Sequence, residues 1–287
     1  MAGYMYLGNK KICPAVLIGG GDEVNVGYEV NQDGKLMKET ENLVMSGFKT
    51  VGRYAFHEFF KSRSFLSADL SCIEAIDGYY ACSEMFTGAS LTSVDLSNLK
   101  SINGEDACFE MFYDNTALTS VDLSNLETIS GVGACSGMFS RASLTSVDLS
   151  NLKSISGDGA CYGMFGGNTR LASVDLSNLK SISGEDCCTS MFDGDSALTS
   201  VVFSGLETID GNYSCTDMFG FSGIKSLSFP SLKSISGEDV FFWFLFECSD
   251  VTIHFPSNMQ SAVESQSGYP NFDGENTTIL FDLPPTE

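Results

Sequence analysis

The stretch LTSVDLSNLKSINGEDACFEMFYDNTA, residues 91–117, decides the fold, because the chain repeats it with small changes. Self-comparison aligns seven segments at offsets of 26 or 27 residues, a period typical of solenoid proteins. The segments begin at Phe65, Leu91, Leu118, Leu144, Leu171, Leu198 and Ile224. A degenerate earlier unit starts near Thr40, and a last partial unit opens at Val251. One coil cannot bury its own apolar face, so stacked coils must share a continuous core.

Within the unit, apolar residues recur at positions that we expect to point inward. Val94 and Leu96 alternate with polar neighbours, which is the periodicity of a strand. Gly104 has an equivalent in every unit, which implies a positive φ or a position too crowded for a Cβ atom. Cys108 and Met111 follow at helical spacing and predict a short helical turn on the opposite side of the coil.

These patterns predict a β-rich α/β solenoid of 26–27-residue coils, with a parallel β-sheet on one face, short helical turns on the other, and caps at both ends. Residues 1–39 are predicted to form an N-terminal β cap with a turn at 31–34. Residues 40–250 are predicted to form a solenoid of about eight coils. Residues 251–287 are predicted to form a C-terminal cap made of the last partial coil, a short helix and a closing strand.

Charge limits the classes of partner. The chain has 15 Lys and Arg residues against 37 Asp and Glu residues, a net charge of −22. Nucleic acids and anionic membranes are disfavoured, because binding to phosphates depends on basic side chains. The apolar stretch at 12–18 is too short to span a membrane and contains Pro14, so we expect neither membrane insertion nor an export signal. Cations, basic proteins and neutral glycans remain as partners.

The ten cysteines raise the question of a metal or disulfide site. Six share one repeat position: Cys82, Cys108, Cys135, Cys161, Cys188 and Cys215. Phe56 and Phe241 take this position in flanking units, so it is an apolar core position. A line of thiols cannot surround zinc tetrahedrally, and the coil spacing exceeds the usual Cβ separation of a disulfide. We therefore predict reduced, metal-free cysteines in the core, beside columns of Met and Phe.

A column of like charges is expected on the outward face of the strands. Its members are Asp69, Asp95, Asp122, Asp148 and Asp175. Neighbouring charges in the column repel by on the order of 1 kcal/mol even in water. We favour hydrogen bonds to neighbouring Ser, Thr and Asn side chains, and a row of Ca²⁺ ions is the alternative, because Ca²⁺ prefers carboxylate oxygens. The column through Glu74 and Lys100, by contrast, mixes signs and is predicted to stabilise itself.

Recognition of a non-repetitive partner needs positions that differ from coil to coil. Such positions flank the repeated glycine and follow the Cys and Phe columns, and they mix aromatic with small polar residues, as paratopes do. The candidate ligand-binding residues are Tyr79, Tyr80, Phe109, Tyr113, Tyr162, Arg170, Tyr213, Phe221, Phe242 and Trp243. Tolerant surface loops would vary in the same way, so this alternative stays open.

Catalysis finds little support in the sequence. His57 and His254 are the only histidines and lie about eight coils apart, so no Cys-His or Ser-His pair follows from the spacing. The chain contains neither a phosphate-binding loop nor a metalloprotease helix motif. We expect a protein that is not an enzyme and needs no cofactor.

Two parts of the chain resemble known protein groups. The degenerate unit, with VGRYAF at 51–56, resembles the IG-x-x-AF form of BspA-like leucine-rich repeats, over roughly residues 40–255. This resemblance implies a leucine-rich-repeat solenoid with a concave sheet and short turns on the convex side. Such proteins are typically bacterial surface proteins that bind host or neighbouring-cell molecules, and no fixed binding residues carry over. MYLGNKK at 5–11, followed by Cys13-Pro14, is similar to the start of proteins encoded in phages and prophages of gut bacteria.

The expectation is therefore a non-catalytic binding or adhesion protein that recognises a protein or glycan through its variable surface residues. A cationic surface or Ca²⁺ is a further candidate partner. The resemblances imply a bacterial cell surface or a phage virion as its location. A tail-associated host-recognition module and a purely structural spacer are the alternatives.

Overall fold

The chain from residue 42 onward forms a parallel β-solenoid of about nine stacked coils of about 26 residues. The computed structural model describes residues 4–7, 10–14, 25–27, 42–46, 48–63 and 65–286. Each central coil contributes one short strand to each of two sheets, and equal repeat positions lie side by side, as in the pairing of Val121 with Val94 and Val147. The predicted solenoid of stacked coils with a parallel β-sheet on one face is confirmed.

The first sheet is built from the S-V-D segments. Its strands are Asn25–Gly27, Asn42–Ser46, Ser67–Asp69, Ser93–Asp95, Ser120–Asp122, Ser146–Asp148, Ser173–Asp175 and Ser200–Val202. Asn25–Gly27 pairs antiparallel with Asn42–Ser46, and the later strands follow in parallel. In Ser93–Asp95 the valine is buried and both flanking side chains are exposed, so the sheet presents rows of Ser and Asp to solvent.

A second parallel sheet, built from the S-I-x segments, corrects the prediction of a single sheet. Its strands are Thr50–Val51, Ala75–Asp77, Ser101–Asn103, Thr128–Ser130, Ser154–Ser156, Ser181–Ser183, Thr208–Asp210 and Ser234–Ser236. Ile102 is fully buried between polar neighbours, which is again the alternation of a strand.

The C-terminal end carries a third sheet of three parallel strands, Ser226–Ser228, Thr252–Pro256 and Thr278–Leu283. A 3-10 helix, Ser257–Met259, and an α-helix, Gln260–Glu264, follow the middle strand. None of the helices in the described part of the chain has the length and apolar character needed to cross a membrane.

At the other end, Tyr4–Leu7 and Lys10–Pro14 form an antiparallel pair. Asn25–Gly27, also in the predicted N-terminal cap, pairs with the first sheet, and the remaining cap residues, including the turn at 31–34, lie outside the described residues.

The side of each coil opposite the first sheet, here called the turn side, consists of consecutive hydrogen-bonded turns rather than the predicted helical turns. Alternate amides donate to the next coil, as Cys82 N does to the Ala107 carbonyl and Glu84 N to the Phe109 carbonyl, both at 2.7 Å. The amide of Met85 instead donates three residues back, to Cys82, at 3.1 Å. The spacing of three that resembles a helix therefore arises from successive turns.

The core is a set of straight columns. The residues that we expected to point inward are buried, including Val94, Leu96, Ile102 and the six cysteines that share one repeat position. The phenylalanine rings stack face to face at centroid distances of 5.2–5.7 Å. This column consists of Phe60, Phe86, Phe112, Phe139, Phe165, Phe192 and Phe219. Burial raises the pKa of thiols such as Cys82 and Cys135, which keeps them protonated.

Candidate functional site

A groove of about 720 Å³ runs along the outer face of the first sheet. Its lining comes from four coils and includes Ser120, Asp122 and their equivalents, over a floor of valines such as Val121. The valines of the floor are only 5–7% exposed, so the chemistry of the groove is set by the Ser and Asp columns. Such a surface offers the same groups in each of the four coils that line the groove.

Each aspartate of the column accepts a hydrogen bond from the backbone N–H two residues later. The N···O distances lie between 2.8 and 3.0 Å for Asp69, Asp95, Asp122, Asp148 and Asp175. The bonds from Ser150 hold the pKa of the Asp148 carboxyl below its usual range. Of the expected Ser, Thr and Asn partners, the Ser71 hydroxyl donates to Asp69 at 2.6 Å and the Ser150 side chain bonds to Asp148. Asn98 instead donates to the Ser71 carbonyl of the preceding coil.

The aspartates therefore stabilise the backbone at the end of each strand by accepting these hydrogen bonds. Within the described ranges, no group of three or more His, Cys, Asp or Glu side chains is arranged to hold a metal ion. The carboxylates stand in one row, whereas Ca²⁺ takes six to eight oxygen ligands.

We expect calcium to leave the stability of the chain unchanged, because each aspartate is already bonded to a backbone N–H. The melting temperature should be the same in excess EDTA and in excess CaCl₂. Asp122→Asn serves as the matched variant, since it removes one charge from the row. A calcium-dependent rise in the melting temperature that Asp122→Asn reduces would instead identify the row as a cation site.

The mixed column of Lys and Glu side chains forms the expected ion pairs. Glu74 contacts Lys49 at 2.5 Å and Lys100 at 3.0 Å, and Lys153 contacts Glu127 at 2.6 Å. Hydrogen bonds from the two lysines lower the pKa of Glu74 to about 2. Because these side chains are largely exposed, the pairs organise the surface more than they stabilise the fold.

The ten candidate ligand-binding residues lie on the turn side, where the structure divides them into three groups. Tyr79 and Tyr80 join an N-terminal aromatic cluster. The middle coils carry Phe109, Tyr113, Tyr162, Arg170 and Tyr213, of which Tyr162 and Arg170 are exposed. Phe221, Phe242 and Trp243 lie together at the C-terminal end.

The N-terminal aromatic cluster contains Tyr54 and His57 in addition to Tyr79 and Tyr80. The Tyr79 and Tyr80 rings lie 4.4 Å apart, and Tyr54 stacks on Tyr80 at 5.8 Å. The guanidinium of Arg53 lies 5.4 and 5.3 Å from the Tyr54 and Tyr79 rings. The charge of Asp106 and its hydrogen bond with the phenol raise the pKa of Tyr80 to about 12. Tyr54 was missed, although it occupies the repeat position of Tyr80.

The C-terminal aromatic patch consists of Phe221, Phe242, Trp243 and Phe246. Trp243 stacks on Phe242 at 4.7 Å and lies 5.4 Å from Phe246, which in turn contacts Phe221 at 5.4 Å. Phe221 is 52% exposed and Trp243 46%, which is high for side chains of this size. Phe246 was missed in the sequence, although it takes the repeat position of Tyr113.

Several of these aromatic residues have a left-handed backbone, which is unfavourable for large side chains. The φ angle is 53° at Tyr80, 51° at Phe221 and 50° at Trp243. Other coils have the same positive φ at the equivalent positions, which hold glycine, as at Gly159 and Gly163, or polar residues, as at Asp106 and Glu110. The terminal coils thus place aromatic rings on a backbone conformation that glycine adopts without strain.

The structure also contains a His–Asp pair that the sequence did not indicate. His254 Nδ1 lies 2.9 Å from Asp282, on the neighbouring strand of the third sheet. Ser228 is in register with His254 on the other side, but no hydrogen bond within the described residues joins the two. The groove on the first sheet is lined by residues 94–175, several coils away. The pair therefore lacks both a bonded nucleophile and an adjoining groove.

Asp195 has a buried carboxyl group, and its pKa is shifted further than that of any other described acid of the turn side. In two other 27-residue coils the same position holds Asn115 and Asn168, whose side-chain amides donate to backbone carbonyls. Asp195 Oδ1 accepts the Asn168 N–H at 2.6 Å, whereas its Oδ2 is buried without a partner. Burial raises the pKa of Asp195 to about 9.

We expect Asp195→Asn to stabilise the chain near neutral pH. The pKa in the folded state lies above the unfolded value of about 3.9, so ionisation favours unfolding. The contribution of the wild-type carboxyl is therefore fully present below about pH 4 and is lost as the pH rises towards 9. Urea unfolding across this range should show a decline that Asp195→Asn reduces.

The matched control for this prediction is Asp122→Asn, which removes the same charge from an exposed position. It should leave the decline with pH in place. An equal pH profile for the wild type and Asp195→Asn would show that Asp195 ionises normally.

Comparison with known proteins finds similarity to solved structures at low sequence identity. No protein-family model and no curated protein sequence matches the chain. A leucine-rich-repeat protein of T. pallidum is 20% identical, with 66% of this chain and 85% of that chain covered and a TM-score of 0.41. One from Bacteroides ovatus is 16% identical over 88% of this chain and 66% of that chain, with a TM-score of 0.39. A leucine-rich cell surface protein of Faecalibacterium prausnitzii is 12% identical over 93% and 95%, with a TM-score of 0.31.

Proposed function

We propose that the chain is a non-catalytic binding or adhesion protein that contacts a protein or glycan through the aromatic residues of its turn side. The observation that carries this proposal is the placement of exposed rings such as Phe221 and Trp243 on left-handed backbone. Each such position costs of order 1 kcal/mol or more, and glycine would avoid that cost. Strain of this kind is typical of functional surfaces.

The outer face of the first sheet, here called the strand face, is assigned a different role. Its Asp and Ser columns repeat the same groups over five successive coils, so they cannot discriminate between non-repetitive partners. Long-range charge on this face would instead affect the association rate and its salt dependence. The aromatic residues differ from coil to coil, and large desolvated rings supply much of the energy in protein interfaces.

A bacterial cell surface or a phage virion is the proposed location, in keeping with the resemblances noted in the sequence. On a virion the same aromatic surface would serve host recognition. A structural spacer would need only the length and rigidity of the coils, and it would not need exposed rings on strained backbone.

The experiment is a binding survey with the labelled full chain on a glycan array and on a panel of purified basic, neutral and acidic proteins. We expect a small set of specific signals in physiological salt that are lost in the double variant Tyr162→Ala/Trp243→Ala. Both side chains are exposed, so the variant should fold normally. Signals that persist unchanged in this variant would contradict the aromatic surface, and a survey without any signal would favour the spacer.

A further inference from the structure

Cations already lie on aromatic rings at two places along the turn side. Arg53 lies over Tyr54 and Tyr79 in the N-terminal aromatic cluster. In the middle coils the guanidinium of Arg141 lies 5.7 Å from the Tyr113 ring. The attraction between a guanidinium and the face of a ring explains both arrangements.

The C-terminal aromatic patch differs, because within residues 48–63 and 65–286 no arginine or lysine lies over its rings. Lys225, from the same part of the solenoid, donates to the Ser249 carbonyl at 2.7 Å. Among the described residues, Trp243 therefore presents its ring without a cation, although tryptophan is the ring that binds cations best.

An acidic cleft of about 310 Å³ adjoins the patch. Its lining is Phe246, Glu247, Cys248, Ser249, Asp273 and Glu275. Phe246 belongs to both the patch and the cleft, so rings and carboxylates form one continuous surface. The carboxylates of Glu247, Asp273 and Glu275 take part in none of the ion pairs of the described residues.

We propose that the C-terminal aromatic patch and the acidic cleft together bind arginine side chains of a basic polypeptide. The guanidinium fits carboxylates through paired N–H donors and also stacks on aromatic rings, whereas a lysine ammonium offers only the point charge. An arginine over Trp243 and Phe246 brings its charge to Glu247 and Glu275. The net charge of −22 also attracts a basic partner.

This inference rests on the proposed function and names the chemistry of its partner. Three carboxylates without a cation suit a neutral or acidic glycan poorly, because burying them beneath such a ligand leaves their charge uncompensated. A basic protein segment supplies the compensating charge and a hydrophobic stem that covers the rings.

The test uses the fluorescence of Trp243, which is the single tryptophan of the chain. The full chain is titrated with an acetylated Arg-Arg amide in physiological salt, and a Cit-Cit amide, with citrulline for arginine, is the uncharged probe of the same shape. We expect a saturable change with the arginine probe and binding weaker by about tenfold or more with the citrulline probe. Glu247→Gln/Glu275→Gln should weaken arginine binding by a similar factor, whereas Asp114→Asn, which removes an exposed carboxylate several coils away from the patch, should leave it unchanged.

Equal binding of both probes, or wild-type affinity in the Glu247→Gln/Glu275→Gln variant, would overturn the inference. So would the absence of a saturable change with the arginine probe. If the survey signals nevertheless depend on Trp243, the turn side binds a partner of another chemistry. In that case the proposed function stands and only the basic partner is wrong.

Discussion

Replacing Gly157 by alanine should destabilise the solenoid by about 2–6 kcal/mol, the sum of backbone strain and overpacking. Gly157 has a φ of 110°, and a Cβ atom there would lie 2.5 Å from the Gly131 carbonyl oxygen in the preceding coil. Real Cβ atoms do not approach backbone so closely, so the two coils would have to separate. Denaturant unfolding of the full chain measures the loss.

Gly163→Ala is the matched control. Gly163 also has a positive φ, 55°, but a Cβ atom there would meet nothing within 4 Å. This variant should lose only about 1–2 kcal/mol, the cost of a left-handed alanine. Equal losses at the two positions would show that the glycine column reflects backbone conformation alone and that coils are not in contact there.

Phe139→Ala should cost about 3–5 kcal/mol, as large-to-small changes in packed cores do. The ring is fully buried and stacks on Phe112 at 5.2 Å and on Phe165 at 5.6 Å, nearly parallel to both. Alanine would leave a cavity between two coils and break the ring column in its middle. The free energy of unfolding, measured in denaturant, reports the change.

Tyr162→Ala provides the comparison for this core variant. Its ring is 48% exposed and belongs to the turn-side surface, so its removal should change stability by no more than about 0.5 kcal/mol. A loss at Phe139 no larger than that at Tyr162 would mean that the phenylalanine column does not form the core.

The repeat made most of the architecture predictable, because a fixed period places equal residues next to each other. The inward positions of Val94 and Ile102 and the crowded glycine column follow from it directly. The prediction of helical turns was wrong, because consecutive turns and a helix share the spacing of three between apolar residues. The second sheet was missed because a segment such as Ser101–Asn103 contains a single apolar residue, whereas Val94 and Leu96 make the alternation of the first sheet visible.

The candidate site was less predictable, because its geometry depends on neighbours from different coils. The variable aromatic positions were visible, but their division into a cluster around Arg53 and a patch around Trp243 was not. Tyr54 and Asp195 could have been identified from the sequence, since the repeat alignment places them at the same positions as Tyr80 and Asn168. The His254–Asp282 pair could not, because Asp282 follows the last recognisable repeat unit.

The most direct measurement of the central claim, that the turn side rather than the strand face recognises the partner, compares one variant from each face. Binding kinetics of the strongest survey ligand are recorded for Trp243→Ala and for Asp122→Asn at two salt concentrations. We expect Trp243→Ala to speed dissociation, and Asp122→Asn to alter only the association rate and its salt dependence. Unchanged kinetics for Trp243→Ala, with binding abolished by Asp122→Asn, would contradict this and assign recognition to the strand face.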